Sequence, residues 1–494
     1  MDVHQLDQFL LIGSGVLLAA ILAVRLSVGA GLPSLLVYLG LGLILGSSGL
    51  GIDFSDAKLA HALGFAALLL ILAEGGLTTH WEHVRPSIGM GLLLATVGVS
   101  VSVGVVAVGA HYALGLDWEL AVLLAAVTSP TDAAAVFSVL RRVPLTRSVL
   151  GTLESESGLN DAPIVVLVVA VSTGAATGHG PLVFLGIIVL ELVVGSLIGF
   201  LIARVGAYTL RAVALPASGL YPIAVLAFTV LAYGSATAIH TSGFAAVYVA
   251  ALVLGNTDLP HRGATRSFAE GIGWLSQIGL FVMLGLLANP ADIRWWHIWT
   301  ALVGGAILTF IARPLSIAVC ALIIHTPWRE QAFLAWAGLR GAVPIVLATI
   351  PLSEGVKGAD DLFNIVFVFV VIYTVFQAPT LPWFARVCEV TTNEVQDVEV
   401  EAAPLDRVSA DLIQIHVTKD SKLVGVEIDE LRLPGGASVS LIVREGETQV
   451  PQRATRIKVG DDLLVVTPRN LREQTEKRLR AVSASGRLAG WRDD

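Results

Sequence analysis

Residues 119–140 read ELAVLLAAVTSPTDAAAVFSVL. The stretch is long enough to cross a bilayer, which takes about 20 apolar residues, yet Pro130 and Asp132 stand near its middle. A proline inside a helix cannot donate the i→i−4 hydrogen bond and clashes with the preceding turn. In lipid, main-chain groups freed this way survive only against protein or a wet cavity. A carboxylate at that depth costs several kcal/mol unless it is paired or hydrated, which makes it a functional group by default. The segment predicts a transmembrane helix broken across Thr128-Ser129-Pro130-Thr131-Asp132.

A second stretch of this kind lies at Gly338-Leu339-Arg340-Gly341-Ala342-Val343-Pro344, inside the apolar run 330–352. Gly- or Pro-interrupted spans at corresponding places in two halves point to a transporter's substrate site. These two correspond if spans 1–6 repeat as spans 8–13, with span 7 as a linker. An offset of seven is odd, so the copies would have inverted topology. The third informative stretch is Glu154-Ser155-Glu156-Ser157-Gly158-Leu159-Asn160-Asp161-Ala162-Pro163. On a helix Ser157 lies one turn before Asp161 and faces the same side. Glu156 lies about 100° from Ser157 and faces another neighbour, for which Arg340 is the expected cation. Glu74, Glu154, Glu191 and Arg313 are the remaining ionisable groups within apolar runs. For Glu154, Glu191 and Arg313 a purely structural ion pair is an equally good reading.

Composition agrees with a membrane protein. Of 494 residues, 55% are hydrophobic and 14% are charged, against about 25% charged in a soluble domain. This excludes a soluble globular enzyme, and disorder and collagen with it. Two cysteines exclude a disulfide-stapled scaffold. Residues 1–387 hold 16 basic and 20 acidic side chains, and residues 388–494 hold 15 and 19. A long membrane domain is therefore followed by a short charged one. No basic patch interleaved with aromatics occurs, so nucleic acid is not an expected partner.

Thirteen spans are expected, at 8–25, 31–49, 59–77, 87–113, 119–140, 147–174, 181–211, 219–240, 242–256, 266–288, 296–325, 330–352 and 362–386. The first lacks the basic flank of a signal peptide. With the N-terminus outside, the inner loops and ends carry Arg25, Arg85, Arg141, Arg142, Arg147, Arg204, Arg211, Arg262, Arg266, Arg329 and Arg386. The outer ones carry Lys58, Arg294 and Lys357. Basic residues concentrate on cytoplasmic loops, so the charged C-terminal part belongs in the cytoplasm. The expected fold is an all-α polytopic membrane protein of 13 helices, with inverted repeats and two crossing discontinuous helices. A small α/β cytoplasmic domain would follow.

Four motifs, in order and on the matching spans, resemble the cation–proton antiporter superfamily in its NhaP/sodium–proton exchanger branch. Glu156-Ser157-Gly158-Leu159-Asn160-Asp161 is similar to the family's E-S-x-L-N-D. Thr131-Asp132 resembles its T-D-P, Gly338-Leu339-Arg340-Gly341-Ala342 its G-L-R-G-A, and Glu74-Gly75-Gly76 its F-E-G-G. The resemblance implies that Asp161 is the essential carboxylate, binding a monovalent cation or protons. Asp132, Ser157 and the Thr131 main-chain oxygen would complete the cation site, with Glu74 acting directly or through water. Asn160 would mark the electroneutral branch, and Glu156 and Arg340 would form a structural pair. Ala133 departs from the family, which often has proline there.

These residue types suit exchange without a cofactor. Hard cations favour oxygen ligands, which carboxylates, hydroxyls and freed carbonyls supply. A buried carboxyl favours its protonated form, and a nearby cation favours ionisation. Cation and proton therefore compete for one group, and a site open to one side at a time couples their movements.

The boundaries expected are a transmembrane antiporter domain over 1–390, a polar linker over 391–404, a regulatory domain over 405–480 and a tail over 481–494. Asp411–Val417, Ser438–Val443 and Asp462–Val466 alternate like strands, and residues 469–482 permit a helix. Leu423-Val424-Gly425, Leu433-Pro434-Gly435-Gly436 and Val459-Gly460-Asp461-Asp462-Leu463-Leu464-Val465-Val466 resemble the C-terminal lobe of potassium-conductance regulator (RCK) domains, TrkA-C. That resemblance implies a regulatory module and admits a nucleotide ligand such as cyclic di-AMP. No G-x-G-x-x-G stands between strand and helix, so NAD binding is not expected.

The function expected is a secondary antiporter of the cytoplasmic membrane. It would exchange a monovalent cation for protons, with potassium favoured because potassium systems often carry this lobe. A sodium/proton antiporter is the near alternative and an RCK-regulated cation channel the distant one. The channel lacks support, since no T-V-G-Y-G filter occurs. An intramembrane hydrolase is disfavoured because the intramembrane serines lack a paired histidine or lysine. The family further implies a homodimer.

Overall fold

The computed structural model describes residues 3–30, 34–47, 49–52, 54, 56–140, 143–175, 181–213, 215–392, 401–404, 410–444 and 446–486. The chain divides into two compact units, Met1–Thr391 and Thr392–Asp494.

The first unit is helical. Its helices are α1 (Val3–Ala30), α2 (Ser34–Leu45), α3 (Ala57–Thr78), α4 (Ile88–Leu114), α5 (Trp118–Thr128), α6 (Ala133–Leu140), α7 (Arg147–Ser172) and α8 (Pro181–Ala212). They continue as α9 (Leu220–Ala238), α10 (Gly243–Gly255), α11 (Arg262–Leu287), α12 (Trp295–Ile323), α13 (Trp328–Trp336), α14 (Val343–Glu354) and α15 (Ala359–Val387). Among the described residues eight helices are long and apolar enough to cross a membrane, and five shorter ones are apolar. The many exposed leucines, valines and isoleucines of α8, such as Leu190, Val193 and Leu197, face outward, as a span bathed in lipid requires.

Local sequence sets the ends that matter. Asp56 caps α3 by accepting from the N–H groups of Lys58 and Leu59, each at 3.0 Å. Pro344 sits in the first turn of α14, where its missing donor has no bond to lose. That helix stops at Gly355, whose φ of 71° is the left-handed conformation glycine reaches without strain. The expected spans 119–140 and 330–352 are each a pair of half-helices, α5–α6 and α13–α14, as the breaks predict. The expected span 31–49 is helical over Ser34–Leu45, and part of its remainder lies outside the described residues.

Two π-helical turns interrupt α4 and α12, at Leu94–Gly98 and Leu308–Ala312. Each packs against the other helix. Such turns widen a helix locally and recur at functional sites.

Among its described residues the second unit, expected as a small α/β domain, is a five-stranded antiparallel sheet with one α-helix. Its strands β1 (Glu401–Pro404), β2 (Ala410–His416), β3 (Ser438–Arg444), β4 (Glu447–Gln449) and β5 (Asp462–Pro468) lie in the order β1-β2-β5-β3-β4. Every pairing is antiparallel because no crossover helix intervenes between neighbours. Ile413, Ile415, Ile442, Leu463 and Val465 form the core with Leu479 and Val482. The last two belong to α16 (Arg472–Ser485). Strand β1 occupies part of the stretch read as linker, and β4 is a strand that the alternation did not mark. The remaining linker residues 393–400, together with 405–409 and 487–494 of the expected domain and tail, lie outside the described residues.

Candidate functional site

The two breaks meet. Helix α5 ends at Thr128 because Pro130 cannot donate to Ala126, and the last carbonyls of the helix turn to other partners. Thr128 Oγ donates to Leu124 O at 2.7 Å, and Ser129 Oγ donates to Ala125 O at 2.6 Å. The Thr128 carbonyl accepts from Arg340 Nε at 3.2 Å. In return the Asp132 N–H donates to Leu339 O at 2.9 Å. Main-chain groups freed in one break are thus satisfied by the other, as a buried interruption demands.

Charge follows the same logic. Asp132 Oδ1 accepts from Ala135 N at 3.1 Å, so its carboxylate sits at the positive N-terminus of α6. Arg340 sits at the negative C-terminus of α5, and its guanidinium also donates to Gly338 O. Each helix end thereby faces the opposite charge. Gly341 is required by geometry, because a Cβ there would collide with Asp132 Oδ2.

Helix α7 lines the junction. Asn160 is fully buried and donates from Nδ2 to Thr131 Oγ at 3.0 Å and to Thr131 O at 3.4 Å. Asp161, next along, is buried, and its Oδ1 has no hydrogen-bond partner among the described residues. The Asp132 charge acts on Asp161 and on Glu74. Thr131, Asp132, Asn160 and Asp161 are therefore brought together at the crossing. Ser157 stands one turn earlier on the same helix. Glu74 lies apart, on α3 against Gly273 of α11. Gly158 admits the Tyr248 ring of α10, which a Cβ would strike.

The ion pair expected between Glu156 and Arg340 is not formed. Glu156, fully buried, is held instead by both terminal nitrogens of Arg313 on α12, with Arg313 Nη2 at 2.8 Å from Oε2. The same Nη2 donates to Leu334 O at 3.4 Å. The helical direction of Glu156 pointed to a cation but did not say which one. Arg340 is taken up by the carbonyls of the breaks, which leaves Arg313 to answer the carboxylate. Both guanidinium groups converge on Gly338, where a Cβ would stand 2.9 Å from Arg340 Nη1 and 3.2 Å from Arg313 Nε.

Residues 14–387 match the transmembrane sodium/hydrogen exchanger family. The chain belongs to that family. As a member, this exchanger is a multi-pass membrane protein and a secondary transporter rather than an enzyme. Residues 412–480 of the exchanger match the TrkA-C domain. It is 34% identical to the K(+)/H(+) antiporter NhaP of Alkalimonas amylolytica over 91% of this chain and 79% of that protein. It is 31% identical to the K(+)/H(+) antiporter NhaP2 of Shewanella oneidensis over 94% of this chain and 82% of that one. The sodium proton antiporter MjNhaP1 of Methanocaldococcus jannaschii shares its fold, with a TM-score of 0.63 at 22% identity, covering 76% of this chain and all of that one.

Sequence reasoning missed three participants in the exchanger's junction: Arg313 as the partner of Glu156, the Leu339 carbonyl, and Thr374, whose hydroxyl donates to Arg340 O at 3.2 Å. Arg313 carried a usable signal, being one of two basic residues of the membrane domain assigned to neither a loop nor a span end. The other two act on main-chain atoms and carried none.

Proposed function

We propose that this exchanger moves potassium against protons, one for one, by alternating access at Asp161. The observation that carries this reading is the buried Asp161 carboxyl with an unpartnered oxygen. It stands beside an Asn160 that is itself tied to the broken helix. A carboxyl so placed holds either a proton or a cation, since each removes the reason for the other to stay. Asp132, Ser157 and the Thr131 main-chain oxygen supply further oxygen ligands, and Glu74 acts on the access side. No step needs a resident cofactor. Potassium is favoured over sodium because two relatives are named for potassium and because this chain carries a TrkA-C domain, as potassium systems often do.

The eight long helices and the five short apolar ones make thirteen spans, with α5–α6 and α13–α14 each counted once. The π turns of α4 and α12 fall on spans that correspond in the inverted repeat, which supports that repeat. Basic inner loops put the N-terminus outside and the TrkA-C domain in the cytoplasm, where it regulates the membrane domain. The membrane is the cytoplasmic one and the assembly a homodimer.

Fluorescence of a pH probe inside everted vesicles, with K⁺, Na⁺, Li⁺ and choline added in turn, tests the reading. Proton release on K⁺ alone is expected. Equal release on Na⁺ would replace potassium selectivity with general exchange, and conduction without proton movement would overturn antiport.

A further inference from the structure

Glu74 borders a narrow cavity between α3, α9 and α11, shared with Pro222, Thr265, Ala269 and Ile272. Gly273 on α11 lets the Glu74 side chain lie directly on the helix, where a Cβ would stand 2.7 Å from Glu74 Cγ. Residues three and four apart on a helix are surface neighbours, so Arg266, Glu270 and Gly273 form one stripe leading to Glu74. Glu270 is exposed, and its charge acts on Glu74. Arg266 is half-buried, and its Nε and Nη2 make no hydrogen bond among the described residues.

The other charges nearby are accounted for. Arg262, at the start of the stripe, donates to Gly255 O at 3.1 Å and lies 3.7 Å from Asp258. Arg266 feels Arg262 and Glu270, and Glu74 feels Glu270 and Asp132. Helices α9 and α10 carry the phenols Tyr221, Tyr233 and Tyr248, and His261, just before α11, has its ring 5.0 Å from that of Tyr221. A half-buried guanidinium with idle donors is costly to keep. Its place beside a carboxylate, on the approach to a third charged group, gives it a use.

The geometry points to Glu270 and Arg266 as opposed positioning residues at the cytoplasmic mouth of the cation path. Glu270 draws cations toward Glu74, and Arg266 limits that attraction. The inference rests on the antiport reading above and on its orientation.

The test is K⁺ titration of proton release in everted vesicles, which present the cytoplasmic face outward, at low and high choline chloride. Glu270→Gln is expected to raise the apparent KM for K⁺ about threefold or more, with the maximal rate kept within about twofold, because a focusing charge is lost. Arg266→Gln is expected to lower KM, and Arg266→Lys to restore it. High choline should shrink both differences by screening. A purely structural role would not move KM in opposite directions. Shifts of one sign, no shift, or a change in maximal rate alone would overturn the inference while wild-type exchange left the antiport reading standing. Should Arg266→Gln fail to accumulate, Glu270→Gln and Arg266→Lys decide the matter. A wild type that releases no protons overturns the antiport reading itself, and the inference with it.

Discussion

The N–H of Asp132 donates to the carbonyl of Leu339 across 2.9 Å. Two spans far apart in sequence are joined at the point where each is broken. The same junction is clasped from the other side by Arg340 on the Thr128 carbonyl. Around it stand Asp161, Asn160 and Thr131, so the proposed cation site and the crossing occupy one place.

Asp161→Asn keeps the shape of the side chain and removes its exchangeable proton. Antiport in everted vesicles is expected to vanish with expression largely intact. Persistent dissipation of the pH gradient on K⁺ addition would show that the chemistry lies elsewhere.

Glu156 and Arg313 form a buried pair whose partners depend on each other. Glu156→Gln or Arg313→Ala should each cost about 3–5 kcal/mol, since the remaining charge is left buried. Thermal melting of the detergent-solubilised protein would report the loss, with the double variant less damaged than the two losses combined. Arg340→Ala should be distinguishable, because Arg340 holds carbonyls and forms no ion pair among the described residues.

Gly341→Ala places a Cβ against the Asp132 carboxylate. Asp132 or the break must then shift, so apparent cation affinity is expected to fall with the protein still folded. An unchanged KM would mean that Asp132 can be displaced without consequence.

In the C-terminal unit, burial alone would raise the Asp461 carboxyl. The hydrogen bonds from Arg444 Nε and Nη2, at 2.8 Å each, and from Lys458 N at 2.7 Å overcome burial and hold it below its ordinary value. A depressed carboxyl adds stability above its unfolded pKa of about 4, and that contribution is lost as the pH falls through the lower folded value. Hydrogen exchange over residues 410–486 of the full-length protein should therefore quicken on strong acidification. Asp461→Asn should remove much of that acid dependence and weaken the domain at pH 7. An acid response unchanged in Asp461→Asn would assign it to other groups.

Deleting residues 400–494 is expected to alter the pH and cation dependence of exchange without abolishing it. Identical profiles with and without the domain would leave it a structural appendage.

Much of this architecture can be read from residue types. Pro130 and the Gly338–Pro344 run announce the breaks because backbone chemistry forbids a regular helix there. The strands of the C-terminal unit declare themselves through Ile413, Ile415, Leu463 and Val465, which alternate. The partner of Glu156 could not be read in this way. Helical periodicity fixes the direction a side chain takes from its own axis, but the identity of the helix it meets is set by packing. Strand β1 escaped notice because its residues, Glu401-Ala402-Ala403-Pro404, are all depleted in strands, and pairing with β2 rather than propensity makes it a strand. The near-contact of Glu74 with Gly273 was hidden too, since a missing side chain gives no signal of what fills its place.

The bond between Asp132 and Leu339 uses main-chain atoms alone. Any residue other than proline could supply that nitrogen, and any residue at all that carbonyl. The joint between the two broken spans is therefore mute in a comparison of side chains. Mutational scans at position 339 would report the loss of a buried leucine side chain and leave its carbonyl untested. Only a change to the backbone itself, such as an ester in place of the amide at residue 132, would expose how much depends on that joint.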